Sequence, residues 1–198
     1  MYSDSPRGYE RNDFGKLSAI VPELPENIRV HLENGGQIMV RHGFSSANND
    51  AAGNLAFGNT DAGLEQLGLD QAKVFREKVT AACGIEVLEV PVATSTLRRT
   101  RESAIATGFT ALTAYSSLDE IAQHAIQKIK DIRADLENGI LPDIALAKAE
   151  ELIESPDRPH EQFLFMHGLL MAGCERITGV SSNKRLLPRF FEARILKK

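Results

Sequence analysis

Five histidines occur in the chain. Two of them, His42 and His167, share one context, directly after an apolar run and directly before a glycine, as MVRHG and FLFMHG. If each run is a strand of an α/β sheet, both histidines stand at strand carboxyl ends, where such sheets bind ligands, and they are candidates to face each other across one site. The glycines let the backbone come close to a small ligand. Arg41 precedes the first histidine, and Arg98, Arg99 and Arg101 follow the run that ends at Thr94-Ser95. The spacing puts these three on the first turns of a helix, whose free N–H groups also suit an anion. Two histidines and two arginines on one crevice describe a phosphate pocket, because guanidinium forks grip its oxygens bidentately and stay charged at every working pH. A neutral imidazole can attack phosphorus and form a phosphohistidine that water later breaks, so that one hard step becomes two easier ones. The arginines and the second histidine would stabilise charge on the equatorial oxygens. This chemistry needs neither a metal nor an organic cofactor. It does need a carboxylic acid to protonate the leaving oxygen, and Glu120 or Asp119, at the start of a predicted helix, are the candidates.

The elements that must position these groups are legible from periodicity. Pro25, the spacing of Leu24, Ile28 and Leu32, and Gly35-Gly36 outline a short amphipathic helix. Gln37 to Val40 reads as a buried strand. Residues 43–63, rich in Ser, Ala, Asn, Asp and Gly, form a long loop of the kind that carries function. Leu69, Ala72, Phe75, Val79 and Ala82 mark the buried face of a helix, with Asp70, Lys73, Arg76 and Lys78 turned elsewhere. Ile85 to Thr94 predicts a strand or strand pair limited by Pro91, and Ser95 or Thr96 can cap a helix from Leu97 to Gly108. Helices follow over Asp119–Asn138, with Gly139 as the stop, and over Asp143–Glu154. Phe163 to Met166 is a further buried strand, an apolar helix runs through Ile177, and Arg189 to Leu196 reads as an edge strand. Strands separated by helices predict a three-layer α/β/α sandwich with a mostly parallel central sheet.

Composition bounds the function. The 198 residues suit one domain, with 42% hydrophobic and 25% charged residues as in an ordinary globular chain. A net charge of −4 argues against a sequence-independent grip on nucleic acid, and no apolar run approaches the length of a membrane span. Residues 1–24 read as a loosely held N-terminal arm, too polar for a signal peptide, ahead of a domain over residues 25–198. Cys83 and Cys174 have no CxxC or Cys/His neighbours and read as small buried hydrophobes in a reducing, cytoplasmic compartment. From Lys184 to Lys198 there are six basic residues and one acid, expected to form a solvated face. The expected partner is a small phosphorylated molecule, with neither nucleic acid nor membrane; composition does not decide the oligomeric state.

The motifs occur in a familiar order. MVRHG resembles the signature of the histidine phosphatase superfamily, the phosphoglycerate mutase-like proteins, and Asn48 falls where RHGxxxxN has its asparagine. GNTDAGLEQLGLDQA, from Gly58 to Ala72, is similar to the family's G-x-x-D-x-P-L-T-x-x-G-x-x-Q-A, with Gly63 and Glu65 in place of Pro and Thr. ATSTLRRTRESA resembles S-x-L-x-R-[AT]-x-[QE]-T-A and places the second arginine on Arg99. LDEI, Leu118 to Ile121, is similar to the segment that carries the proton donor, and FMHGLLMAG resembles the second-histidine segment. The resemblance implies a phosphoglycerate mutase-like fold and a metal-independent phosphomonoesterase acting through a phosphohistidine. In it, His42 would be the nucleophile, Arg41, Arg99, Asn48 and His167 the phosphate ligands, and Glu120 the acid and then base. A mutase that returns the phosphoryl group to product is the alternative, disfavoured by the 46 residues between Glu120 and His167, which leave little room for a cap. A non-catalytic phosphate-binding protein is another, disfavoured because binding needs no proton donor. His31, His124 and His160 are expected to be structural, and Arg98 and Arg101 to be solvated or paired with Glu102.

Overall fold

The computed structural model describes residues 21–46, 62–119, 121, 132, 135–136, 138–179 and 186–196. In chain order these form α1 (Ile28–Glu33), β1 (Gln37–Arg41), α2 (Gln66–Cys83), β2 (Val92–Thr94), α3 (Arg98–Thr107), β3 (Leu112–Ala114), α4 (Asp143–Glu154), β4 (Phe163–Met166), α5 (Gly168–Thr178) and β5 (Ala193–Leu196). The strands make one sheet in the order β3-β2-β4-β1-β5. All neighbours are parallel except β1 and β5.

Alternation along the strands builds a core on each face of the sheet. Ile38, Val40, Val92, Phe163 and Phe165 face α1, α2 and α3 through Ile28, Leu32, Ala72, Phe75, Val79 and Ala104. Met39, Ala93, Leu164 and Met166 face α4 and α5 through Ala145, Ala149, Leu152, Leu170 and Cys174. This is the predicted sandwich, with helices on both faces of a mostly parallel sheet. Burial pushes the Cys174 thiol up to about 12, so it behaves as a small hydrophobe; Cys83 is only half-buried.

Several details differ from expectation. In α2, Leu69 is 38% exposed while Asp70 and Gln71 are buried. Leu69 shares its side of the helix with Arg76, seven residues on, and the packed face runs instead through Leu67, Gln71, Ala72, Val74, Phe75 and Val79. The run from Ile85 is a 3-10 turn over Ile85–Glu89, and only Val92–Thr94 pairs as a strand. Pro91 has no N–H for the ladder, which limits pairing on this side of Val92. The three-residue edge strand β3, exposed along most of its length, carried no hydrophobic signal. Within the expected N-terminal arm, Val21 is buried and its carbonyl accepts from Lys78 Nζ at 2.8 Å, so the packed chain reaches at least to Val21. Most of the helix expected over Asp119–Asn138 and most of the 43–63 loop lie outside the described residues. Among the described residues no helix is long and apolar enough to cross a membrane.

Candidate active site

β1 and β4 are adjacent and parallel, with Arg41 opposite Met166. The ladder continues one residue further, where the His42 N–H donates to Met166 O at 3.2 Å. His42 and His167 therefore leave neighbouring strands at the same level, at the carboxyl edge, between strands whose following helices lie on opposite faces of the sheet. Their ring centroids are 5.0 Å apart at 58°. Both side chains are buried. Each glycine after a histidine makes room for protein rather than for ligand. A Cβ on Gly43 would stand 2.4 Å from the Phe191 ring, and one on Gly168 would stand 3.3 Å from Arg41 Nε.

The hydrogen bonds select ring tautomers. His42 Nδ1 lies 2.8 Å from Gly43 O. A carbonyl only accepts, so Nδ1 carries the proton and Nε2 keeps its lone pair. Burial first, then the neighbouring His167, Arg99 and Arg41, holds the His42 pKa well below the usual histidine value; the bond to Gly43 O pulls the other way. His42 is thus a neutral imidazole at neutral pH, with Nε2 as an available nucleophile.

His167 is oriented through Ser95. Its Nε2 lies 3.0 Å from Ser95 Oγ, which accepts the Leu97 N–H at 3.2 Å and lies 2.8 Å from Thr100 Oγ1. Thr100 Oγ1 donates onward to Leu97 O at 2.7 Å. With that proton committed, Ser95 donates to Thr100 and accepts from His167 Nε2–H, leaving Nδ1 turned toward Arg99 Nη2 at 3.5 Å. Arg99 is buried on the first turn of α3. Ser103, one turn on, donates to Arg99 O at 2.7 Å and accepts the Gly43 N–H at 2.9 Å, tying α3 to the residue after His42. Gln71 Oε1 accepts the next N–H, from Phe44, at 3.0 Å.

Of the other predicted residues, Glu120 and Asn48 lie outside the described residues. Asp119 is described, and both its oxygens face Thr96: Oδ1 accepts the Thr96 N–H and Oδ2 the Thr96 hydroxyl, each at 2.6 Å. Asp119 is an acceptor clamping the β2–α3 loop, and Thr96 donates to it instead of capping α3. Arg98 pairs with Glu102 at 2.6 Å, and the other Glu102 oxygen accepts Leu64 N–H. His31 Nε2 donates to Gln37 O at 3.1 Å, a structural bond, and His160 is exposed; His124 is outside the described residues.

Sequence reasoning missed the wall formed by residues 188–192. Arg41 Nη1 donates to Pro188 O at 2.5 Å. Its guanidinium carbon lies 4.2 Å from the centre of the Phe190 ring, which also approaches His42 at 5.9 Å. The only signal was a Phe-Phe pair inside a basic tail. That tail is also less solvated than expected: Arg194 is buried with Glu175 and Glu192, because β5 is covered by α5 and an inward arginine there requires carboxylates. Among the described residues no group of three or more His, Cys, Asp or Glu side chains could hold a metal ion.

Comparison with known proteins places this geometry. Residues 37–142 match the model of the histidine phosphatase superfamily, branch 1. Among solved structures, a phosphoglycerate mutase from Thermus thermophilus is similar in fold, with 21% identity over 81% of this chain and 96% of that one and a TM-score of 0.54. The product of open reading frame Rv3214 of Mycobacterium tuberculosis is also similar, with 19% identity over 80% of this chain and 89% of that one and a TM-score of 0.50. No curated protein matches the chain in sequence.

Proposed function

The chain belongs to the histidine phosphatase superfamily, and we propose that within it this protein is a metal-independent phosphomonoesterase that acts on a small phosphorylated metabolite through a phosphohistidine on His42. The observation that carries this reading is the state of His42: neutral, with Nδ1–H held by Gly43 O and Nε2 left to attack, 5.0 Å from the His167 ring. In the first step Nε2 attacks phosphorus in line, the P–Nε2 bond forms and the P–O bond to the leaving alcohol breaks. Glu120, in the role the family resemblance implies, gives that oxygen its proton. Arg41, held at Pro188 O, and Arg99, held beside His167 Nδ1, neutralise the three equatorial oxygens with little reorganisation, because both guanidinium groups have partners before substrate arrives. His167 Nδ1 lies 3.5 Å from Arg99 Nη2, and in the role the family resemblance implies His167 is a phosphate ligand beside that arginine. In the second step water attacks phosphorus, Glu120 takes its proton, and His42 is released as the neutral ring.

The test is hydrolysis of p-nitrophenyl phosphate by the wild type and His42→Ala in EDTA, with a rapid denaturing quench at alkaline pH to trap labelled phosphohistidine. Turnover and label in the wild type alone are expected. An unchanged rate in His42→Ala would remove the mechanism, and loss of wild-type activity in EDTA would reveal a required metal. With a labelled phosphate ester of a polyhydroxy metabolite in place of p-nitrophenyl phosphate, label passed to a second hydroxyl with no release of inorganic phosphate would make the protein a mutase. Stabilisation by phosphate with no turnover of any phosphomonoester would make it a binding protein.

A further inference from the structure

The wall against Arg41 and His42 comes from a turn that begins 147 residues from Arg41 in sequence and outside the residues matched to the family model. We infer that this turn, Pro188 to Glu192, is a positioning element for Arg41, with the Phe190 ring as its contact face and the buried Arg194 as its anchor. The inference rests on the reading of Arg41 as a phosphate ligand.

Three sets of contacts fix the turn against the start of the site. The first is backbone: Phe191 N–H donates to Arg41 O at 3.0 Å and Arg41 N–H to Glu192 O at 3.2 Å, so the turn and the end of β1 are one hydrogen-bonded unit. The second is aromatic. Phe191 holds φ at 53°, the left-handed region that a bulky residue adopts only when its surroundings over-determine it. Its ring packs 5.3 Å from Phe75 and against Gly43, while Phe190 packs edge-on to Phe44 at 5.6 Å. Two consecutive rings thus grip the Arg41-His42-Gly43 segment, Phe191 at Gly43 and Phe190 over the Arg41 guanidinium and beside the His42 ring. The third is ionic. One Glu192 oxygen accepts the Arg189 N–H and the other the Arg194 Nε–H, each at 2.7 Å, and Arg194 pairs in turn with Glu175 on α5, the helix that His167 precedes.

The consequence is directional. A guanidinium on a flexible stem samples many rotamers, and a phosphate ligand is effective only when its fork already points at the oxygens. Pro188 O holds one nitrogen of the Arg41 fork and the Phe190 face lies against its guanidinium carbon. Phe190 itself is only 6% exposed, so it acts on the arginine and not as a stacking platform for substrate.

The experiment is a double-mutant cycle read by binding of inorganic phosphate, which requires no turnover. Phe190→Leu keeps an apolar side chain but removes the π face. It is expected to weaken phosphate binding about tenfold, equivalent to about 1.4 kcal/mol, while in an Arg41→Ala background the same substitution changes phosphate affinity less than twofold. A purely structural Phe190 would lower the melting temperature and weaken binding equally in both backgrounds. Either that equal loss, or phosphate affinity in Phe190→Leu within twofold of wild type, overturns the inference. Should Phe190→Leu fail to fold, Glu192→Gln, which weakens the anchor of the same turn, enters the same cycle under the same criteria. A wild type that binds phosphate while the cycle shows no coupling refutes only the positioning role; a wild type that binds no phosphate refutes the phosphate reading beneath it.

Discussion

His42 links stability to pH, and the sign follows from its surroundings. The ring is 3% exposed, beside two arginines and a second imidazole, and its pKa in the folded protein lies well below the 6.5 of an ordinary histidine. Well above pH 6.5 the ring is neutral in both folded and unfolded chains and contributes no pH dependence. As pH falls below 6.5 the unfolded chain takes up a proton that the folded one refuses, so stability is lost until the folded-state pKa is reached. Between pH 7.5 and pH 5.5 the loss from this one residue is on the order of 1 kcal/mol, the limit being a group that titrates only when unfolded. His42→Gln removes the titrating ring at similar size. Urea unfolding of wild type and His42→Gln at the two pH values reads the effect of the His42–His167 pair, because the carboxylates and the histidines away from the site cancel in the difference. The wild type is expected to lose on the order of 1 kcal/mol more than the variant across this interval. Parallel stabilities would mean that His42 titrates normally in the fold, and with that the neutral nucleophile at pH 6 would be lost from the mechanism. The same arrangement predicts that kcat/KM keeps its value below pH 6.5 as far as His42 is concerned.

Two further outcomes probe the rest of the site. Glu120→Gln is expected to slow phosphomonoesters of aliphatic alcohols about a hundredfold or more while barely slowing p-nitrophenyl phosphate, whose leaving oxygen hardly needs a proton; equal slowing of both would remove the acid role from Glu120. Ser95→Ala deletes the acceptor shared by His167 Nε2–H and Leu97 N–H. It is expected to cost about 1–3 kcal/mol in urea unfolding and to lower kcat/KM, whereas an unchanged kcat/KM would show that His167 is oriented without it.

Local pattern in the sequence determined much of this protein. The strand-His-Gly repeat was enough to pair His42 with His167, because side-chain alternation and parallel pairing put both at one sheet edge. Three arginines at the start of α3 were open candidates, and it was the family resemblance that singled out Arg99; Arg98, expected to be solvated or paired with Glu102, does pair with it. The layers of the sandwich followed from the order of apolar runs. Tertiary structure alone decided the tautomers, since those depend on Gly43 O and on Ser95, and it alone assigned Asp119, whose residue type suited an acid as well as a clamp until Thr96 was found on both oxygens. It decided which face of α2 packs, leaving Leu69 out and taking Asp70 in, because burial is set by what lies opposite a helix and not by its own periodicity. It also placed Phe190 on Arg41 and buried Arg194 between carboxylates. These are contacts across long sequence separations, and no local spacing encodes them; they arise where the antiparallel edge strand β5 closes the sheet beside β1.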